Sequence, residues 1–272
     1  MLYYRQVEKQ FGFIRIWLKS LSLRGALPLA MTFVVITTIP TKKQTESTIF
    51  GWWQRHMLSK PSLDIRQQIE RGISILREGG LVAFPTDTVY GLGAAANLPQ
   101  AVARVYKVKQ RPRNMPLPLL LADVSQIGEV AESVPEVAWL LIRSFLPGAL
   151  TIVLPRSNSV PDVVTAGGTS IAVRIPAHFV PVALIEGLGR PIVGTSANLS
   201  GQPSPLTADE VYAQLGNRID WIIDGGTCPG GRESTLVDVT GEVPVVLREG
   251  AISRKELEQV CGSVVYREGG TK

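Results

Sequence analysis

The sequence is poor in cysteine, histidine and aromatic side chains, and each shortage removes a class of function. Its two cysteines, Cys228 and Cys261, stand far apart with no CxxC pair and no Cys/His cluster, so metal-ligand spacing is absent. Nothing about them demands an oxidising compartment, and both are expected to behave as small buried hydrophobes. The two histidines, His56 and His178, are isolated, which leaves little room for a Ser-His or Cys-His nucleophile. A G-x-x-x-x-G-K-[ST] phosphate loop is missing, and Gly91-Leu92-Gly93 lacks the third glycine of a dinucleotide fingerprint. The apolar stretch from Ala26 to Ile36 falls short of the roughly 20 residues that a membrane-spanning helix needs, and Pro28 interrupts it. Internal repeats and low-complexity segments are absent too.

What is present fits an ordinary globular chain. Of 272 residues 45% are hydrophobic, enough for one substantial core, and 26 glycines with 19 prolines favour short elements joined by tight turns. The formal charge of +5 is unevenly placed. Residues 1–60 hold nine of the 28 Lys/Arg and two of the 23 Asp/Glu, so the remaining nineteen cations and 21 acids leave residues 61–272 at −2. The body therefore offers no global field for a polyanion. Residues 1–60 are expected to form a basic, poorly ordered extension, with Met57 as an alternative start. A targeting role is the competing reading, and no A-x-A-like cleavage site follows the apolar run. The main domain is placed at 61–260, a tail at 261–272, and the protein in the cytoplasm, away from membranes.

Helix and strand signals alternate through the body. Asp64-Ile65-Arg66-Gln67 has the pattern of a capping box, and Ile65, Ile69, Ile73 and Leu76 recur at helical spacing until Gly79-Gly80. A buried strand over 81–84 follows, ended by Pro85. Helices are predicted at 98–107, 137–145, 180–186, 208–215 and 254–260. Strands are predicted at 117–121, 150–154, 170–175, 191–194, 221–223, 235–239 and 243–247, with Pro118 confining the first of these to an edge or a strand start. Several strands lie too close in sequence for an all-parallel sheet, so the fold class is α/β with a mixed sheet and flanking helices.

Four segments carry chemistry. Lys107-Val108-Lys109-Gln110-Arg111-Pro112-Arg113 follows a helix, and Pro112 favours an extended approach that turns Lys109 and Arg111 to one side, as a triphosphate or carboxylate requires. The alternative is a solvated basic turn. Ser196 and Asn198, at the end of an apolar strand, offer hydroxyl and amide groups to a ligand or simply turn the chain. Thr86-Asp87-Thr88 at a strand end suits a small amino acid or an Asx-type turn. Arg174 interrupts the apolar strand Ile171–Ile175 and needs a buried partner or a ligand carboxylate.

Taken together, F-P-T-D-T-V-Y-G-L-G, K-Q-R-P, P-G-A-L-T, A-V-R-I-P-A-H, T-S-A-N-L-S-G and E-S-T-L-V-D occur in the order seen in YrdC-like threonylcarbamoyl-adenylate synthases, a resemblance covering about residues 64–252. It implies a twisted sheet around a concave, positively lined cavity. The implied activity joins L-threonine, bicarbonate or CO2 and ATP with Mg2+ into L-threonylcarbamoyl-AMP and pyrophosphate, for the t6A modification of tRNA. Carried onto matching positions, Thr88, Arg174 and Ser234 contact threonine, while Lys109, Arg111, Ser170, Ser196, Asn198, Ser204 and Arg248 contact the nucleotide. Lys109 and Arg111 take the catalytic role of neutralising phosphate charge.

The sequence departs from this pattern at Met115, Leu120, Ala149 and Glu249, where relatives carry a polar residue, a histidine and two prolines. Weak RNA contact and partner proteins of the t6A pathway are further implications of the resemblance. A double-stranded RNA-binding module, or a paralogous enzyme with another acceptor, are the rival readings.

Overall fold

The computed structural model describes Tyr4–Arg5, Leu18–Lys19 and residues 63–266. The chain divides into two units, 1–51 and 52–272. In the first, strands β1 (Tyr4–Arg5) and β2 (Leu18–Lys19) pair antiparallel. The expectation of a poorly ordered extension otherwise lies outside the described residues.

The second unit is a mixed α/β domain. Helix α1 (Leu63–Arg77) leads to β3 (Val82–Phe84), β4 (Gly91–Ala95), α2 (Pro99–Lys109) and β5 (Leu119–Leu120). Then come α3 (Ile127–Val130), α4 (Glu136–Phe145), β6 (Leu150–Pro155), α5 (Asp162–Thr165), β7 (Ser170–Arg174) and α6 (Phe179–Leu188). The remainder comprises β8 (Ile192–Ser196), α7 (Ala208–Leu215), β9 (Trp221–Ile222), β10 (Thr235–Asp238), β11 (Val245–Arg248), α8 (Arg254–Cys261) and β12 (Val265–Tyr266). Ten strands form one sheet in the order β12-β11-β10-β6-β7-β5-β8-β4-β3-β9, with parallel and antiparallel neighbours mixed. Among the described residues no helix is long and apolar enough to cross a membrane.

Alternation along the strands splits the core into two layers. Val82, Phe84, Leu120 and Ile192 point to one face, where Ile69 and Leu76 of α1 and Leu184 and Ile185 of α6 cover them. Ala83, Leu119 and Val193 point to the other, under Val102 and Val105 of α2 and Leu141 of α4. Helix α1 starts one residue before Asp64, so the anticipated capping box is not formed. Asp64 instead sits in the first turn, where its charge favours the helix dipole, and accepts from Gln68 Nε2 at 2.9 Å.

Strand β4 is absent from the sequence-based expectations, because two glycines and two alanines carry little strand propensity. Its glycines have a packing reason. The Phe84 ring lies across them, and a Cβ on Gly91 or Gly93 would stand 2.9 or 2.8 Å from its carbons. Strand β5 lies in the middle of the sheet, not at an edge. Pro118 takes the other expected place, immediately before the paired residues, where no ladder bond needs its N–H, and its carbonyl accepts the Gly194 N–H at 2.9 Å. Strand β12, also unanticipated, adds parallel to β11 within the stretch expected to be a tail.

Gly93→Ala should lower the denaturation free energy by about 1–3 kcal/mol through overpacking against Phe84. Gly241→Ala, with open space around it, should shift it by less than about 0.5 kcal/mol. Urea titrations of both variants check this.

Candidate active site

The residues singled out in the sequence sit at the ends of elements. Lys109 ends α2, Arg174 ends β7, Ser196 ends β8 and Arg248 ends β11, while Ser234 immediately precedes β10. The carboxyl ends of strands are where open α/β sheets present side chains and loops to ligands.

Thr88 lies in the loop joining β3 to β4. Thr86 Oγ1 accepts the Thr88 N–H at 3.0 Å and donates to the Val89 carbonyl at 2.7 Å, which closes the turn. Gly230 holds this loop from outside, since a Cβ there would stand 2.5 Å from the Asp87 carbonyl oxygen. Arg174 then crosses to it. Its Nη1 donates to Thr88 Oγ1 at 2.9 Å, its Nη2 to Asp87 Oδ1 at 2.7 Å and its Nε to the Gly148 carbonyl at 3.0 Å. Asp87 is the buried partner that the sequence left open, and it also accepts the Ala177 N–H at 3.0 Å. Three of the five guanidinium N–H groups are thereby used, and two remain for a ligand. Cys228 is buried beneath this loop and receives the Thr86 N–H on its sulfur at 3.4 Å. Burial pushes its thiol up to about 11, in keeping with a structural cysteine.

On the other side, Lys109 is buried, and its ammonium donates to the Ser196 carbonyl, to the Asn198 carbonyl at 2.7 Å and to Asn198 Oδ1 at 3.2 Å. Its three protons are all engaged by the loop after β8. The Asn198 amide is committed as well, donating to the Leu199 and Gln202 carbonyls at 3.0 and 2.6 Å. Lys109 and Arg111 do share one region, but not through an extended segment. Gln110 takes a left-handed conformation (φ 53, ψ 38) that ends the helix between them. Arg111 donates to the Met115 and Pro116 carbonyls at 3.2 and 3.0 Å. Burial, then the Arg111 charge, push the Lys109 ammonium down to about 8, while Glu233 opposes the change.

Glu233 joins the Ser204 loop to Arg248 of β11, and sequence reasoning passed over it, although it opens the E-S-T-L-V-D segment. Its carboxylate accepts from Arg248 Nη1 and from the Ser204 hydroxyl at 2.7 Å. Burial alone would raise this carboxyl; Arg248, the Ser204 and Ser196 hydroxyls and Lys109 reverse that and hold it below its ordinary value. Arg248 Nη2 donates to the Ser234 carbonyl at 2.9 Å, and Ser234 Oγ lies 2.7 Å from Thr151 Oγ1. Thr151 is a second residue that the sequence did not flag.

Ser170 is not tied into this network. It starts β7, four residues before Arg174 and opposite Pro155. Among the departures from the family pattern, Leu120 is buried over Gly194, while Met115 and Glu249 are exposed.

Lys109→Met removes the donor to three oxygens and should destabilise the fold by about 1–3 kcal/mol or more, seen as a lower denaturation midpoint. The half-buried Arg111 serves two backbone carbonyls, and Arg111→Ala should cost about 1 kcal/mol or less. The depressed Lys109 value fixes a sign for ligand binding. As pH rises through about 8 the ammonium loses its proton, so affinity for an uncleavable ATP analogue should fall there. Lys109→Arg should remove that limb from the binding profile.

The Sua5/YciO/YrdC family, described as "Telomere recombination", matches residues 74–250. A threonylcarbamoyl-AMP synthase of Pyrococcus abyssi is 44% identical over 207 residues, covering 74% of this chain and 61% of that protein. A protein of the same name from Bacillus subtilis is 43% identical over 203 residues, covering 74% and 59%. A putative threonylcarbamoyl-AMP synthase of Mycobacterium tuberculosis is 39% identical over 201 residues, covering 72% and 92%. Among solved structures, P. abyssi Sua5 complexed with L-threonine superposes with a TM-score of 0.72 at 45% identity, over 73% of this chain and 58% of that one. Escherichia coli YciO gives 0.65 at 31% identity, over 71% and 93%. The chain spans about three fifths of the length of the first two relatives. With a match over most of the folded domain and the same fold in its solved relatives, the chain belongs to the Sua5/YciO/YrdC family.

Proposed function

We propose that the chain is a nucleotidyltransferase that makes L-threonylcarbamoyl-AMP and pyrophosphate from L-threonine, bicarbonate or CO2 and ATP, the product serving t6A modification of tRNA. The observation that carries this reading is the gathering of Lys109, Arg111, Arg174 and Arg248 against two carboxylates, Asp87 and Glu233. Such a site suits anionic substrates. The names of the Pyrococcus and Bacillus relatives and the threonine complex of P. abyssi Sua5 support the choice of substrates.

The reaction needs no protein nucleophile. The threonine amine adds to CO2 and loses a proton, giving a carbamate. A carbamate oxygen then attacks the α-phosphorus of ATP, and the bond from that phosphorus to the bridging oxygen breaks to release pyrophosphate. In this reading Thr88, Ser234 and the two spare N–H groups of Arg174 hold threonine. Arg111 and Arg248 face the phosphates, and Lys109 adds its charge from behind the Ser196–Asn198 loop. Mg2+ enters with ATP as part of the substrate. Among the described residues no three His, Cys, Asp or Glu side chains gather, so phosphate oxygens and water would supply most of its ligands.

Purified protein given ATP, Mg2+ and bicarbonate should release pyrophosphate with L-threonine and far less with L-serine or no amino acid. Arg111→Ala should cut that rate by about a hundredfold or more while leaving the fold intact. Folded protein that binds ATP yet releases nothing with any amino acid would replace this reading with another acceptor or an RNA-binding role.

A further inference from the structure

Glu233 stands where several anion-binding groups converge. One of its oxygens accepts from Arg248 Nη1 and the other from the Ser204 hydroxyl at 2.7 Å. The charges of Lys109 and Arg111 also act on this carboxylate. One guanidinium, one hydroxyl and two more cations around a pair of oxygens is the donor set that a phosphate group calls for. All four of these residues are assigned to the nucleotide, and the role of Glu233 rests on that reading of the site. A phosphate arriving here meets donors already in use.

The other carboxylate of the site behaves differently. Asp87 is shut in with Arg174, their side chains being 15% and 9% exposed, and is further fixed by the Ala177 N–H. The Glu233 and Arg248 side chains are 32% and 46% exposed, so an anion from solvent has access to their pair. An ion pair that open contributes little, and exchange of one partner costs correspondingly little. The backbone beneath Glu233 is pinned. The Ala251 N–H donates to its carbonyl at 2.9 Å, and Gly250 packs so closely that a Cβ there would stand 2.2 Å from the same oxygen. Exchange is therefore a rotation of the Glu233 side chain over a fixed floor, with no loop displacement.

We propose that Glu233 is an internal occupant of the phosphate site, and that nucleotide binding swaps its carboxylate for a phosphate oxygen on Arg248 and Ser204. In the free protein it keeps those donors aligned and their charge balanced. It is a positioning residue that also competes with the ligand and rejects anions too weak to displace it.

Glu233→Gln keeps the size of the side chain and removes its charge. Calorimetry with the full chain, using α,β-methylene-ATP and separately inorganic pyrophosphate, should show both ligands binding roughly three to ten times more tightly to the variant. The free variant should melt lower than wild type and gain more from saturating pyrophosphate. Glu233→Asp, which keeps the charge but is too short to span Arg248 and Ser204 together, should fall between the two and serves if the amide variant does not fold. Equal or weaker binding by the charge-removed variant overturns the proposal, because a purely structural carboxylate would give that result. If wild type binds neither ligand, the nucleotide-site reading falls along with it.

Discussion

The buried ammonium of Lys109 is the interaction on which the site's shape depends. It closes the C-terminal end of α2 against the loop after β8 by drawing in the Ser196 and Asn198 oxygens, and the same loop returns a bond from the Ser200 N–H to the Lys109 carbonyl at 2.9 Å. From there the connection reaches the other side, since the Ala197 N–H meets the Tyr90 carbonyl at 2.8 Å and the Tyr90 N–H meets the Pro205 carbonyl at 2.9 Å. A helix end, a strand end and the Thr86–Tyr90 loop are thus held as one body. The cost of taking that charge out of water appears in its lowered proton affinity, and three oxygens aimed at it offset the cost.

Charge is distributed unequally between the two halves of the site. The Arg174–Asp87 pair is nearly closed to solvent and held by four hydrogen bonds, which makes it a rigid frame with two N–H groups to spare. The Arg248–Glu233 pair is wetter and exchangeable. A fixed frame suits recognition of a small amino acid, whose few atoms must be placed closely. An exchangeable pair suits a triphosphate, which brings its own charge and metal.

Much of this organisation was legible in the sequence, for reasons that differ from residue to residue. Helices and strands with regular apolar spacing, such as α7 and β6, were readable because burial imposes their period. Strand β4 was not, because its identity comes from the Phe84 ring lying over Gly91 and Gly93, and that contact is tertiary. The central place of β5 was hidden for a similar reason: Pro118 lacks a donor, and only the position of Gly194 shows that none is needed there. At the site, Lys109, Arg174 and Ser196 stood out as polar residues next to apolar runs. Glu233 did not, and Asp87 entered only as part of a strand-end turn, because the pairing of a turn carboxylate with an arginine from another strand is tertiary. The same-side placement of Lys109 and Arg111 was anticipated through the wrong geometry, a left-handed Gln110 taking the place of an extended strand.

The pairings of Thr88 with Arg174 and of Glu233 and Ser234 with Arg248 gather groups that lie up to 160 positions apart in the chain. Order of synthesis then matters. Strand β11 and its terminal arginine leave the ribosome after nearly all of the sheet, and until they dock, Glu233 and Ser234 have no guanidinium to hold them. Arg248 reaches Glu233 and Ser234 across only 15 and 14 positions, whereas Arg174 reaches Asp87 and Thr88 across 87 and 86, so the cavity joins a short closure to a long one. A ligand that engages both would bind only the finished fold and stabilise that state alone.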